Sequence, residues 1–127
     1  MNFLFLHLKL IWSLMLGGVI SGAGIGLRFH EAAWLGGYNS FRRRLMRLGH
    51  ISFFGLAFVN GIFVLTLTCT PINPNVLPLI SFLLTLGSIL MPSCCFVASY
   101  QPQFKILFPL PTLALALAII LTLSFSF

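Results

Sequence analysis

Four apolar stretches, each about as long as the 20 residues a helix needs to cross the hydrocarbon core of a bilayer, constrain this chain more than any motif in it. They run from Leu8 to Leu27, Leu48 to Thr68, Val76 to Val97 and Ile106 to Phe127, which leaves little of the 127 residues for anything else. The expectation is an all-α membrane protein, a single four-helix transmembrane bundle over residues 1–127. Its connections are one polar segment from Arg28 to Arg47 and two short turns, Cys69 to Asn75 and Ala98 to Lys105. The tail from Leu113 to Phe127 alternates with a period near two, as strands of membrane barrels do. The other three runs are apolar on every face, however, and barrel strands need polar inward positions, so the helical reading is kept throughout. The opening Met1 to Gly24 has the look of a signal peptide, but Lys9 interrupts it and no AxA-type site follows, so it is read as a retained spanning helix.

Charge sets the expected orientation. The chain has seven Lys and Arg against one acid, Glu31, and five of those bases lie between Arg28 and Arg47. A nucleic-acid partner requires bases spread over a wet surface, whereas clustering beside apolar spans is the mark of a cytoplasmic loop, so no nucleic acid is expected. With Arg28 to Arg47 and Lys105 on the cytoplasmic side, both termini face away from it, in a bacterial-type inner membrane. Trp34 and Tyr38 suit the interface, Gly36 and Gly37 break the first helix, and Asn39 or Ser40 is placed to cap the second. Arg42, Arg43 and Arg44 are expected among lipid head groups.

Gly18, Gly22 and Gly26 repeat every fourth residue, so on a helix they form a stripe bare of side chains, a glycine zipper that admits another helix or a flat cofactor. The expected partner is the second span, where His50, Phe54, Ala57 and Gly61 share one face and Ala57 and Gly61 make a further small-xxx-small pair. Pro92 is expected to bend the third span. Cys69 stands alone and Cys94 and Cys95 are neighbours, a pattern that offers neither a disulfide framework nor zinc-site spacing.

No hydrolase, kinase or metalloprotease signature is present, and a lone carboxylate leaves no acid–base pair, so enzyme activity is not expected unless the chain is a redox subunit. The remaining chemistry belongs to histidine. His7, near the outer end of the first helix, is expected to lie in the interface and hydrate. His30 and His50 fall at the cytoplasmic ends of neighbouring helices, with backbones differing in depth by roughly 7 Å. That separation permits a bis-histidine haem b, with Arg28 and Arg47 placed to neutralise its propionates. The bland alternative makes both histidines interfacial polar residues.

The segment HEAAWLGG, His30 to Gly37, resembles small bacterial inner-membrane families of the copper-resistance D type, whose members often place a histidine before a WxGG element. The resemblance implies copper handling, with His30 as a ligand. Three functions are therefore carried forward: a small accessory or anchoring subunit of a larger membrane complex of respiratory or electron-transfer kind, held among other membrane subunits; a haem b electron carrier using His30 and His50; and a copper or small-solute transporter.

Overall fold

A computed structural model describes residues 2–126 of the chain, Ser126 by its backbone alone. Met1, which opens the retained helix, and Phe127, which closes the fourth expected span, lie outside the described residues. Among those residues four α-helices form and no strand does: α1 (Phe3–Leu27), α2 (Phe41–Cys69), α3 (Leu77–Tyr100) and α4 (Pro109–Ser126). All are long and apolar enough to cross a membrane, the fourth together with the 3-10 segment Pro102–Leu107 that leads into it. The expected four-helix membrane bundle is what forms.

Local chemistry sets the helix ends. The Asn2 side chain accepts the Phe5 amide at the start of α1, and the Ser40 hydroxyl accepts the Arg43 amide at 3.1 Å while donating to the Leu35 carbonyl at 2.6 Å. Ser40 thereby starts α2 two turns before its apolar run begins. The helix reaches 29 residues, about 43 Å at 1.5 Å per residue, well over the roughly 30 Å hydrocarbon core. The surplus turns carry Arg42, Arg43, Arg44 and Arg47. Pro78, Pro109 and Pro111 fall in first turns, where the missing N–H removes no helical bond. Pro92 lies inside α3, which continues through it.

Helices pack in chain order, each against the next, and α3 is the middle of the bundle: α1, α2 and α4 all lie on it, whereas α1 and α4 barely meet. One core gathers Phe63, Ile80, Leu84 and Ala118 under Ile72 of the turn between α2 and α3. A second joins Leu14 to Leu56 and Ala57, and a third closes the arginine end with Ile25, Leu35 and Met46. Lipid is as apolar as these side chains, so close fit rather than water expulsion holds the helices together. That puts weight on the small residues. A Cβ on Gly18 would stand 2.6 Å from the Phe54 ring, one on Gly22 2.6 Å from His50 Cε1, and one on Gly87 2.5 Å from Leu115 Cγ.

The stripe expected along α1 needs correction at both ends of the α1–α2 contact. Gly18 and Gly22 receive α2, but Gly26 faces open space, and at its level the neighbouring Ile25 carries the contact with Met46 of α2. Ala57 is buried as expected, yet its companion Gly61 also faces open space. Gly49, against Cys95 Cβ at 3.0 Å, and Gly87 are the close-contact glycines on the other interfaces.

Between α1 and α2 the chain makes a 3-10 turn, Trp34–Gly36, and three successive residues take positive φ: Leu35 at 52°, Gly36 at 85° and Gly37 at 93°. The glycines adopt this at no steric cost, but Leu35 does not. Its side chain is buried against Ile25 and Met46, and its carbonyl is held by Ser40, which together offset the strain.

Candidate functional site

A cluster of polar side chains lies buried within the apolar bundle. His7 of α1, Asn60 of α2, and Ser81 and Ser88 of α3 are each at most 1% exposed, and they bond to one another across three helices. The Asn60 amide nitrogen donates to the Leu56 carbonyl at 2.7 Å and to Ser88 Oγ at 2.8 Å. A carbonyl can only accept, so the orientation of the amide follows, and Asn60 Oδ1 faces His7. His7 Nδ1, 2.7 Å from that oxygen, must therefore carry a proton and donate it. With one proton on the ring, Nε2 accepts from the Ser81 hydroxyl at 2.9 Å. The Phe63 ring meets the imidazole edge-on, its centroid 4.7 Å away, and seals the remaining side.

This overturns the interfacial, hydrated His7 of the sequence reading. Position along α1 suggested an exposed end, but the side chain points into the bundle, where Asn60 and Ser81 replace water. The signal was available: Asn60, Ser81 and Ser88 are polar groups inside spans and each needs a partner there.

His30 and His50 fare differently. His30 lies exposed in the turn that follows α1. His50 is turned into the α1–α2 contact, where its imidazole packs on Gly22 and its Nδ1 lies 3.2 Å from Ser21 Oγ. The faces of Gly18 and Gly22, expected to admit a flat macrocycle, instead receive the rings of Phe54 and His50. Of the two arginines assigned to propionates, Arg28 pairs with Glu31 at 3.1 Å, and Arg47 donates to the Tyr38 carbonyl at 3.3 Å while lying 4.6 Å over the Tyr38 ring.

The arginine end is built, not merely solvated. Arg42 reaches the C-terminus of α3, donating from Nε to the Ser99 carbonyl at 2.7 Å and from Nη2 to that of Tyr100 at 3.2 Å. It thus satisfies orphan carbonyls and sets a cation at the negative end of the helix dipole. Arg43 is 4% exposed and lies over the rings of Trp34, Tyr38 and Phe29 at 5.3, 5.6 and 5.7 Å. Arg44 is exposed. Consecutive residues on a helix point about 100° apart, so the triple arginine fans out to three different surroundings instead of forming one head-group patch.

Two kinds of site are thus present: a closed polar lock in the bundle and an arginine–aromatic assembly at one end. No group of three or more His, Cys, Asp or Glu side chains placed to hold a metal ion occurs among the described residues. Comparison with known protein families, with curated proteins and with solved structures finds no significant match.

Proposed function

We propose that the chain is a small accessory or anchoring subunit of a larger membrane complex, contributing helix faces rather than chemistry. The observation that carries this reading is the uneven covering of the helices. α3 is packed on by all three others, whereas α1 and α4 barely meet and each is covered along one side. In a closed bundle the first and last helices seal one another. Here α1 turns Leu16, Val19 and Ile20 outward, and α4 turns Leu113, Ile120 and Leu123 outward. The polar lock supports the same reading, since His7, Asn60, Ser81 and Ser88 satisfy each other and present no reactive group.

Orientation follows from the distribution of charge. Arg28, Arg42, Arg43, Arg44, Arg47 and Lys105 all fall at the end where α1 and α3 finish and α2 and α4 begin. That end faces the cytoplasm of a bacterial-type inner membrane, with both termini on the other side.

In-cell photocrosslinking tests the assignment, with a photoreactive residue at Ile20 or Ile120 of the full chain. Discrete adducts with a membrane protein that also co-purifies are expected. Lipid adducts alone at both positions, with a monomer in native mass spectrometry, would overturn it. A reduced-minus-oxidised spectrum whose sharp bands vanish in both His30→Ala and His50→Ala would overturn it in favour of the haem carrier.

A further inference from the structure

Among the arginines, Arg43 alone combines burial with the lack of an oxygen partner. Arg28 has the Glu31 carboxylate, Arg42 has two carbonyls of α3, Arg47 has the Tyr38 carbonyl, and Arg44 is exposed. The Arg43 side chain is 4% exposed, and among the described residues no hydrogen-bond acceptor faces its guanidinium. The bond to Ser40 comes from its backbone amide. Three rings surround the charge at 5.3 to 5.7 Å, and cation–π attraction offsets part of the cost of removing it from water. Aromatic carbon supplies no oxygen, however, so the five N–H donors of the fork lack the oxyanion that a buried arginine ordinarily holds. The chain has one acid, Glu31, and Arg28 occupies it. Among the described residues no anion is left to pair with Arg43.

A cleft beside the cage indicates what would supply one. Between the ends of α1 and α3 lies a cavity of about 350 Å³, lined by Gly24, Ile25, Met46 and Phe96 together with Arg28 and Trp34 among others. This volume is in the range of pockets that take small ligands. Trp34 belongs to both features: it lines the cleft and its ring lies under Arg43. An apolar cleft opening beside an unpaired guanidinium matches a molecule with an apolar chain and an anionic head.

We propose that the cleft and the Arg43 cage together bind one anionic phospholipid, its acyl chain along Gly24, Ile25, Met46 and Phe96 and its phosphate hydrogen-bonded to the Arg43 guanidinium. The phosphate enters between Phe29 and Tyr38, each 56% exposed. An acidic side chain of another protein would satisfy the arginine but leave the cleft empty, which is why the lipid is preferred. The proposal does not depend on the accessory-subunit reading.

The test is thermal unfolding of the purified full chain in a neutral detergent, with phosphatidylglycerol, phosphatidylcholine, inorganic phosphate or a glutamate-rich peptide added. Phosphatidylglycerol is expected to raise the midpoint by about 4 °C and the other three to leave it within a degree. Arg43→Gln should abolish the shift and Arg44→Gln should keep it. Because Arg43→Gln also removes a packed side chain, Gly24→Leu gives an arm independent of its folding: a Cβ there meets nothing within 4 Å, so the leucine enters the cleft without a clash and should also abolish the shift. Equal shifts from phosphatidylglycerol and phosphatidylcholine, or a shift that survives Gly24→Leu, would overturn the proposal. A full-sized shift from inorganic phosphate would reduce the site to a phosphate site, and one from the peptide would reassign it to a protein carboxylate; either result overturns the lipid.

Discussion

His7 Nδ1 and Asn60 Oδ1 meet at 2.7 Å across the α1–α2 interface, fully buried beside an apolar cluster of Leu14, Leu56 and Ala57. Each is the other's replacement for water, so removing either leaves a buried polar group without its partner. Asn60→Leu is expected to cost about 1–2 kcal/mol, and His7→Leu a similar amount. The double variant should cost clearly less than the sum, because the second substitution removes the group that the first left stranded. Unfolding by SDS titration in mixed micelles gives the three values, and strict additivity would show that the two side chains do not act as a pair.

Gly22→Leu is expected to lower the yield of folded protein severely, since its side chain must displace His50 from the α1–α2 contact. Gly26→Leu and Gly61→Leu, which meet open space, should assemble as the wild type does. Size-exclusion profiles in mild detergent compare them, and equal behaviour of Gly22→Leu and Gly26→Leu would place the α1–α2 contact elsewhere.

Arg42 spans from the first turn of α2 to the last carbonyls of α3. Arg42→Ala should destabilise by about 1–3 kcal/mol, the range for hydrogen bonds made by a charged group. Arg42→Lys should recover part of this, since one ammonium cannot reproduce the two-nitrogen reach of the fork. Arg44→Ala, with an exposed side chain, should stay within about half a kcal/mol of wild type. The same SDS titration ranks the three, and a cost for Arg44→Ala matching that for Arg42→Ala would mean that charge at this end matters and the cap does not.

Topology can be read with native chemistry. Cys69 is exposed at the end of α2 away from the arginines, while Cys94 and Cys95 are buried. A membrane-impermeant maleimide applied to intact cells should label Cys69 and leave Cys94 and Cys95 unmodified. Asn39→Cys in a chain with its native cysteines replaced by alanine should react only after the cells are opened. Labelling of Asn39→Cys in intact cells would invert the orientation.

The parts of this fold legible beforehand are those set by composition and local chemistry. Four runs too apolar for water had to become spans, and a cap at Asn39 or Ser40 had to start α2, a role that Ser40 fills by taking the Arg43 amide. What was not legible depended on the direction in which a side chain points. His7 was assigned by its distance along a helix, yet it lies inside the bundle, whereas the face of His50 and Phe54 was the one expected against the glycines of α1, and both rings lie there. The pattern of i, i+4 glycines was informative at Gly18 and Gly22, where the helices touch, and silent about where the contact passes to a neighbouring face, as it does from Gly26 to Ile25. Arg42, Arg43 and Arg44 were treated as one run because adjacency in sequence hides the 100° between neighbours on a helix.

The polar lock also imposes an order on synthesis. His7 is made 53 residues before Asn60 and 74 before Ser81. At about 5–20 residues per second, α1 emerges from the ribosome several seconds ahead of the groups that complete its hydrogen bonds. Until α3 arrives, the imidazole must be shared with water, a neighbouring lipid or the insertion machinery. A chain interrupted after α2 holds an imidazole and an amide with no α3 hydroxyl to complete their hydrogen bonds, so the lock closes only once the third helix is in place.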